Sequence, residues 1–328
     1  MSNTDPKGEF ELIRDYFQQQ AVQRSDVQLG IGDDGAVVSV AADKQLVLVM
    51  DTMVAGVHFP LQTAAYDLGW KALAVNLSDL AAMGAEPAWL TLALTLPQSD
   101  PQWLESFSRG LFDLASACNI QLIGGDTTRG PLSITVQAHG LVKTGQALLR
   151  SGAQIGDRIY VSGHPGEAAL GLQLLQSGQS LHPYYESLLS RLNRPEPRLK
   201  LGRALVGIAS ACIDISDGLL ADLQHILQAS GVGAELRLDQ LPLSDAYRAA
   251  VEPGQLHNAA LSGGDDYELL FTVAKQHQAA LDKLMQQSEC VLTCIGEIIP
   301  GSHIQCLDAD GNRYLPERLG FVHFAESP

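Results

Sequence analysis

The sequence predicts a two-domain α/β (α+β) protein, with residues 1–150 forming the first domain and residues 151–328 the second. Three observations carry that expectation. The chain has 328 residues, more than a single hydrophobic core usually organises. Segments with helical apolar period alternate with short strand-like apolar runs, which argues for a layered architecture rather than a bundle or a sandwich. Between Lys143 and Gly156 the text becomes small and polar before a new apolar run begins, which marks a boundary near residue 150.

The elements follow in order. Phe10, Ile13, Tyr16 and Phe17 recur at helical spacing after Gly8 and predict an amphipathic helix. Leu46 to Met50 reads as a buried strand that stops at Asp51. Residues 64–83 have a helical pattern, with Thr63 as cap and Gly84 as stop. A strand is expected over 89–96, a helix over 102–118, a short strand over 121–123 ending before Gly124, and a long alternating strand over 132–142. In the second half, strands are expected at 157–161, 211–213, 234–238 and 291–299. Helices are expected at 166–176, 198–209, 218–229 after a capping Asp217, and 276–287.

Composition narrows the function. A hydrophobic fraction of 46% against 18% charged residues suits a chain that buries a core. Acidic residues number 37 against 21 basic ones, a formal charge of -16, and that field repels nucleic acid and anionic membranes. Neither is an expected partner. An anionic substrate would be repelled too, so a phosphate-handling protein of this charge must recruit cations. The five cysteines are odd in number and lack paired zinc spacing, which argues against a disulfide framework or a structural zinc. The polar stretch from Met1 to Glu9 lacks a signal pattern and no apolar run approaches the roughly 20 residues that span a bilayer, so the expected compartment is the cytoplasm.

Acids stand beside glycines, or at a strand end, in five places: Gly32-Asp33-Asp34-Gly35, Asp51-Thr52, Gly124-Gly125-Asp126-Thr127-Thr128, Asp214-Ile215-Ser216-Asp217-Gly218 and Gly263-Gly264-Asp265-Asp266-Tyr267-Glu268. Asp79 adds a sixth, on the helix through Asn76. Any one alone is an ordinary turn or cap. Together they suit Mg2+, which takes oxygen ligands while keeping several waters and substrate phosphates. Gly30-Ile31-Gly32-Asp33-Asp34-Gly35 matches the dinucleotide-binding pattern formally, but its two acids would face a pyrophosphate and an extended rather than helical segment follows. No phosphate-binding loop with Lys-Ser/Thr and no protein-kinase motif pair occurs.

These segments, together with Gly8-Glu9-Phe10-Glu11-Leu12-Ile13, His58-Phe59 and Lys71-Ala72-Leu73-Ala74-Val75-Asn76-Leu77-Ser78-Asp79, resemble the thiamine-monophosphate kinase family, in order from residue 8 to Phe321. That family lies within the aminoimidazole-ribonucleotide-synthetase-like superfamily. The resemblance implies two α/β domains, N-domain strands that form a barrel at a homodimer interface, and ATP-dependent phosphorylation of thiamine monophosphate to thiamine diphosphate. It implies several Mg2+ ions on Asp34, Asp51, Asp79, Asp126, Asp214 and Asp217. Val49 and Met50 stand where relatives often carry hydroxyl residues, so at Met50 only a backbone carbonyl could serve. Gly125, Asp126, Arg150 and Ser216 are implied as ATP contacts, and His58, Asp265 and Phe321 as thiamine monophosphate contacts. Asp126, Asp217 and Arg150 would act on the transferring phosphoryl group, with no covalent nucleophile. Asp265 stands where some relatives have Glu, which shortens its reach. Two rival readings are an aminoimidazole-ribonucleotide synthetase and a non-catalytic nucleotide or calcium-binding module, although the acidic turns lack EF-hand spacing.

Overall fold

The computed structural model describes residues 9–252 and 254–321. The chain divides into two compact units. One runs to Leu80 and resumes over Ala85–Gly145; the other takes Ala81–Gly84 and everything from Gln146 onward. Gly8 and the side chain of Phe10, assigned to the first helix, lie outside the described residues.

In the first unit, α1 (Glu9–Leu12) continues into one wider turn, Ile13–Phe17, with Leu12 and Phe17 buried. Strands β1 (Val27–Leu29) and β2 (Val37–Val38) pair antiparallel. Then come β3 (Lys44–Val54), α2 (Ala65–Ala82), β4 (Glu86–Leu96), α3 (Pro101–Cys118), β5 (Gln121–Arg129) and β6 (Ser133–Lys143). The four long strands form one sheet in the order β3-β6-β4-β5. Only β4 and β5 run parallel, because α3 carries the chain back between them. Helix α3 starts where Asp100 accepts from the amides of Gln102 and Trp103 at 2.9 and 3.3 Å, with Pro101 at its first position, and stops at Asn119 in a left-handed conformation. Helices α2 and α3 cross backbone against backbone. A methyl at Gly69 would overlap the Phe107 carbonyl, and one at Gly110 the Tyr66 carbonyl.

Two expectations for this unit are corrected. The strand through Leu46–Met50 does not stop at Asp51 but continues to Val54, because β6 offers register partners all the way from Lys143 to Ser133. The strand at 121 does not end before Gly124; it carries Gly124, Gly125 and Asp126 on to Arg129 beside β4, with Asp126 opposite Ala93. The Gly-Gly-Asp motif is therefore strand, and its glycines serve close approach: a side chain at Gly125 would overlap the Leu92 carbonyl.

The second unit contains β7 (Arg158–Ser162), α4 (Glu167–Gln176), α5 (Tyr185–Asn193), α6 (Leu199–Leu205), β8 (Ala211–Asp214), α7 (Leu219–Ser230) and β9 (Gly233–Arg237). It continues with α8 (Asp245–Ala250), α9 (Asn258–Ser262), β10 (Leu269–Val273), α10 (Gln278–Gln287), β11 (Leu292–Ile299), β12 (Ile304–Leu307) and β13 (Arg313–Tyr314). Seven strands form one sheet in the order β13-β12-β9-β11-β7-β10-β8. Its core joins Ile159, Val161, Ile213, Leu223, Leu270 and Ile298. The strand β10 has no sequence signal, since its fully buried Leu-Leu-Phe-Thr-Val run carries no alternation. Asp217 does not cap α7: the capping position is Gly218, which has no side chain to offer. The helix expected over 198–209 is shorter, Leu199–Leu205.

Candidate functional site

In the first unit the acids are delivered by β3, α2, β5 and the β1–β2 loop. Asn76 and Asp79 lie three residues apart on one face of α2. Asn76 Oδ1 accepts from the Asp51 amide at 3.1 Å while its Nδ2 donates to the Ala72 carbonyl at 3.0 Å, so the fully buried amide side chain fixes Asp51 against the helix. The Asp51 carboxyl is hydrogen-bonded to Asp79. Burial raises the Asp51 pKa above the usual carboxylate range, with the Asp79 hydrogen bond and the His58 charge pulling the other way. Two carboxyls in contact must share a proton or a cation. His58 closes the turn after β3: its Nδ1 accepts from the Val54 amide at 3.0 Å, leaving Nε2 as its other ring nitrogen.

Asp126 is exposed on β5 next to Gly125. Asp33 and Asp34 are exposed on the β1–β2 loop, where the Asp33 carboxylate accepts from the Asp34 amide at 2.8 Å. The Met50 side chain is exposed on β3.

In the second unit the turn between β8 and α7 is the organising feature. Asp214 ends β8, buried, and Ser216 and Asp217 follow partly exposed. The amides of Ser216, Asp217 and Gly218 all point to Asp222 Oδ2, at 3.0, 3.1 and 3.1 Å. Burial, with Asp214 and Asp217 nearby, pushes the Asp222 carboxyl up to about 7. The carbonyls of the same turn face other partners: Ser216 O accepts the Asp265 amide at 2.9 Å, and Asp217 O accepts the Phe321 amide at 3.0 Å. Asp265 and Tyr267 both have left-handed backbones, φ 67° and 52°, and the Tyr267 hydroxyl donates to Asp265 Oδ1 at 2.9 Å. Strain of this kind persists where surrounding bonds over-determine a loop. Here they do: Tyr267 N donates to Ile215 O and Ile215 N to Glu268 O, both at 2.8 Å. Glu268 takes Arg198 on both oxygens, at 2.7 and 2.5 Å, and accepts from Ser162 Oγ. Asp266 turns the other way and accepts the Gly166 amide at the start of α4 at 2.7 Å.

The second unit thus brings together Asp214, Ser216, Asp217, Asp265 and Phe321, and the first brings together Asp51, Asp79 and His58. Arg150 is exposed, its carbonyl accepting from Ser230 Oγ at 3.4 Å. Among the described residues no three His, Cys, Asp or Glu side chains converge into a ready-made metal cage. Magnesium does not ask for one, since it binds through one or two carboxylates plus water and phosphate oxygens. The Asp51–Asp79 contact, and Asp214 and Asp217 within electrostatic reach of Asp222, offer only oxygen ligands, the kind such an ion takes. Sequence reasoning missed Asn76, Asp222, Arg198 and Tyr267 as site-building residues. Only Asp222 carried a signal, as an acid in the first turn of a helix.

The two units each match the AIR synthase related proteins: the N-terminal domain description of that family matches residues 32–142 and the C-terminal domain description matches residues 154–308. Within that class the chain is 50% identical over 320 residues to thiamine-monophosphate kinase of Escherichia coli K12, covering 97% of this chain and 98% of the relative. It is 35% identical over 332 residues to that of Bacillus subtilis, covering 96% and 99%. Among solved structures, thiamine-monophosphate kinase from Stenotrophomonas maltophilia K279a superposes with a TM-score of 0.84 at 51% identity, covering 89% of this chain and 93% of that one. AaThiL complexed with AMPPCP and TMP superposes with a TM-score of 0.77 at 32% identity, covering 90% and 92%. The chain belongs to the thiamine-monophosphate kinase family, and it is a kinase.

Proposed function

We propose that the chain transfers the γ-phosphoryl group of ATP directly to the phosphate of thiamine monophosphate, giving ADP and thiamine diphosphate. The observation that carries the reading is the shared turn: Asp265 and Phe321 donate their amides to the carbonyls of Ser216 and Asp217, so residues assigned to the two substrates are held by adjacent peptide units. A relative that holds both AMPPCP and TMP supports it. The acceptor is a phosphate monoester whose second ionisation lies near pH 6, so it is nucleophilic at neutral pH without a base. The remaining difficulty is repulsion between anions, at about 1 kcal/mol per unit-charge pair at 4 Å even in water.

Magnesium, held by Asp34, Asp51, Asp79, Asp126, Asp214 and Asp217 with the Met50 carbonyl, would neutralise that repulsion when bound. Gly125, Asp126, Arg150 and Ser216 contact ATP; Arg150 offers a planar fork to its phosphates. His58, Asp265 and Phe321 face thiamine monophosphate, the phenyl ring as a flat wall. In domain terms, residues 1–150 supply nucleotide, metal and dimer contacts and residues 151–328 complete the site. The cytoplasm is the proposed compartment; among the described residues no helix is long and apolar enough to cross a membrane.

Incubation with ATP, magnesium and thiamine monophosphate is expected to yield thiamine diphosphate and ADP in equal amounts, and a chelator to stop it. Magnesium with AMPPCP is expected to stabilise the folded state by mass action, by about 2.7 kcal/mol at a hundredfold excess over Kd, and so to raise the melting midpoint. Conversion of another acceptor in preference to thiamine monophosphate would refute the substrate assignment.

The homodimer has its own support. Strand β3 is the sheet edge, and Leu46, Leu48 and Met50, at alternate positions, are 42%, 58% and 63% exposed. A second copy laid on this face would close the strands into a barrel and cover them. Leu48→Lys is expected to convert a sedimenting dimer to monomer; an unchanged dimer would place the interface elsewhere.

A further inference from the structure

Asp222 is buried, 2% exposed, in the first turn of a twelve-residue helix. Yet one of its oxygens gathers three consecutive amides, from Ser216 to Gly218. Successive amides at a helix start form a concave anion site, which many nucleotide-binding proteins leave open for a phosphate. Here the protein's own carboxylate fills it. Peptide units whose N–H groups point inward present their carbonyls the other way, and those carbonyls take the Asp265 and Phe321 amides.

We propose that Asp222 is a positioning residue for the kinase reaction, holding the Ser216–Asp217 peptides so that the nucleotide side and the acceptor side are set by one internal carboxyl oxygen. The inference rests on the assignment of Ser216 to ATP and of Asp265 and Phe321 to thiamine monophosphate. Without the carboxylate, three amides lose their acceptor, and burial makes that loss expensive. The turn then rotates to find other partners and carries both sets of contacts with it. Close packing leaves no room for a purely local change: a methyl at Gly320 would meet Ala221 Cβ at 2.6 Å and the Asp217 carbonyl at 2.7 Å.

A single contact residue, when truncated, alters affinity for the substrate it touches. Asp222→Ala is expected to raise KM for both ATP and thiamine monophosphate, lowering kcat/KM about a hundredfold, as misplacement of reacting groups does. Asp222→Asn, which keeps one carbonyl oxygen for the amides, is expected to fall between wild type and Asp222→Ala. Should the alanine variant fail to fold, the asparagine variant carries the test. Wild-type KM values for both substrates, with activity lost only in proportion to the folded fraction measured by melting, would overturn the proposal. Asp265→Asn and Phe321→Ala, assayed in parallel, are expected to raise KM for thiamine monophosphate alone. If neither does, the acceptor assignment falls, and the inference falls with it.

Discussion

Asparagine at position 217 is expected to lower turnover about a thousandfold while leaving the fold intact, the upper range for removing one preorganised group that stabilises transition-state charge. The fold should survive because the bonds that fix this residue run through its backbone: the amide goes to Asp222 and the carbonyl to Phe321. Asparagine has the same shape and keeps both. What it loses is a negative charge near Asp222, whose carboxyl is raised first by burial and then by the charges of Asp214 and Asp217. The melting midpoint without ligands is therefore expected to stay level or rise slightly, since a like-charge repulsion is relieved. The stabilisation by magnesium and AMPPCP should shrink. Steady-state rates and melting curves measured together check both halves. A variant that turns over at the wild-type rate would take Asp217 out of the site, and one that is inactive because it is unfolded would make its role structural.

The second large effect is on stability. Arg198 and Glu268 form a two-pronged ion pair whose side chains are 15% and 8% exposed. Ser162 Oγ donates to the same carboxylate and accepts the Leu269 amide at 2.8 Å, so the pair ties the loop before β10 to the end of β7. Arg198→Met would leave Glu268 buried without its counter-ion, and breaking a buried pair from one side typically destabilises by about 3–5 kcal/mol. For a unit of this size that corresponds to a fall in melting midpoint of roughly 10 °C. Arg198→Met with Glu268→Gln is expected to recover a large part of the loss, because the uncompensated charge is removed with its partner. Equal losses in the single and double variants would show that packing around Arg198, and not the charge of Glu268, sets the stability.

The acidic motifs were legible because their chemistry is local. Glycine beside aspartate signals tight turns or close backbone approach whatever the rest of the chain does. Even so, the same Gly-Gly-Asp text took two forms. At 124–126 it is strand, paired to β4, whereas at 263–265 it is a loop whose Asp265 is left-handed. Neighbouring strands decided between them, and no signal within either triplet did. The long helices α2 and α3 were readable from their helical period, but α2 begins at Ala65, so Thr63 is not its capping position, and the Asp100 cap of α3 was not read. The strand β10 was not, because a strand buried on both faces shows no alternation.

The site was read as a set of acids but not as an arrangement. Arg198 lies 70 residues from Glu268, and Ser162 106 residues from it; nothing near any of the three announces the others. In the sequence Asn76 stands only as a neighbour of Asp79; in the structure its side-chain amide holds Asp51 across 25 residues of chain.

By itself the sequence determined the family and the acidic, glycine-flanked character of its motifs. Those follow from side-chain chemistry and from motifs a few residues long. The tertiary structure alone decided which acids meet, which carboxylate fills the amide cradle at α7, and which carbonyls are left to hold Asp265 and Phe321. Such choices are made by burial and by hydrogen bonds between segments far apart in the chain, where each polar group must find a partner once water is excluded.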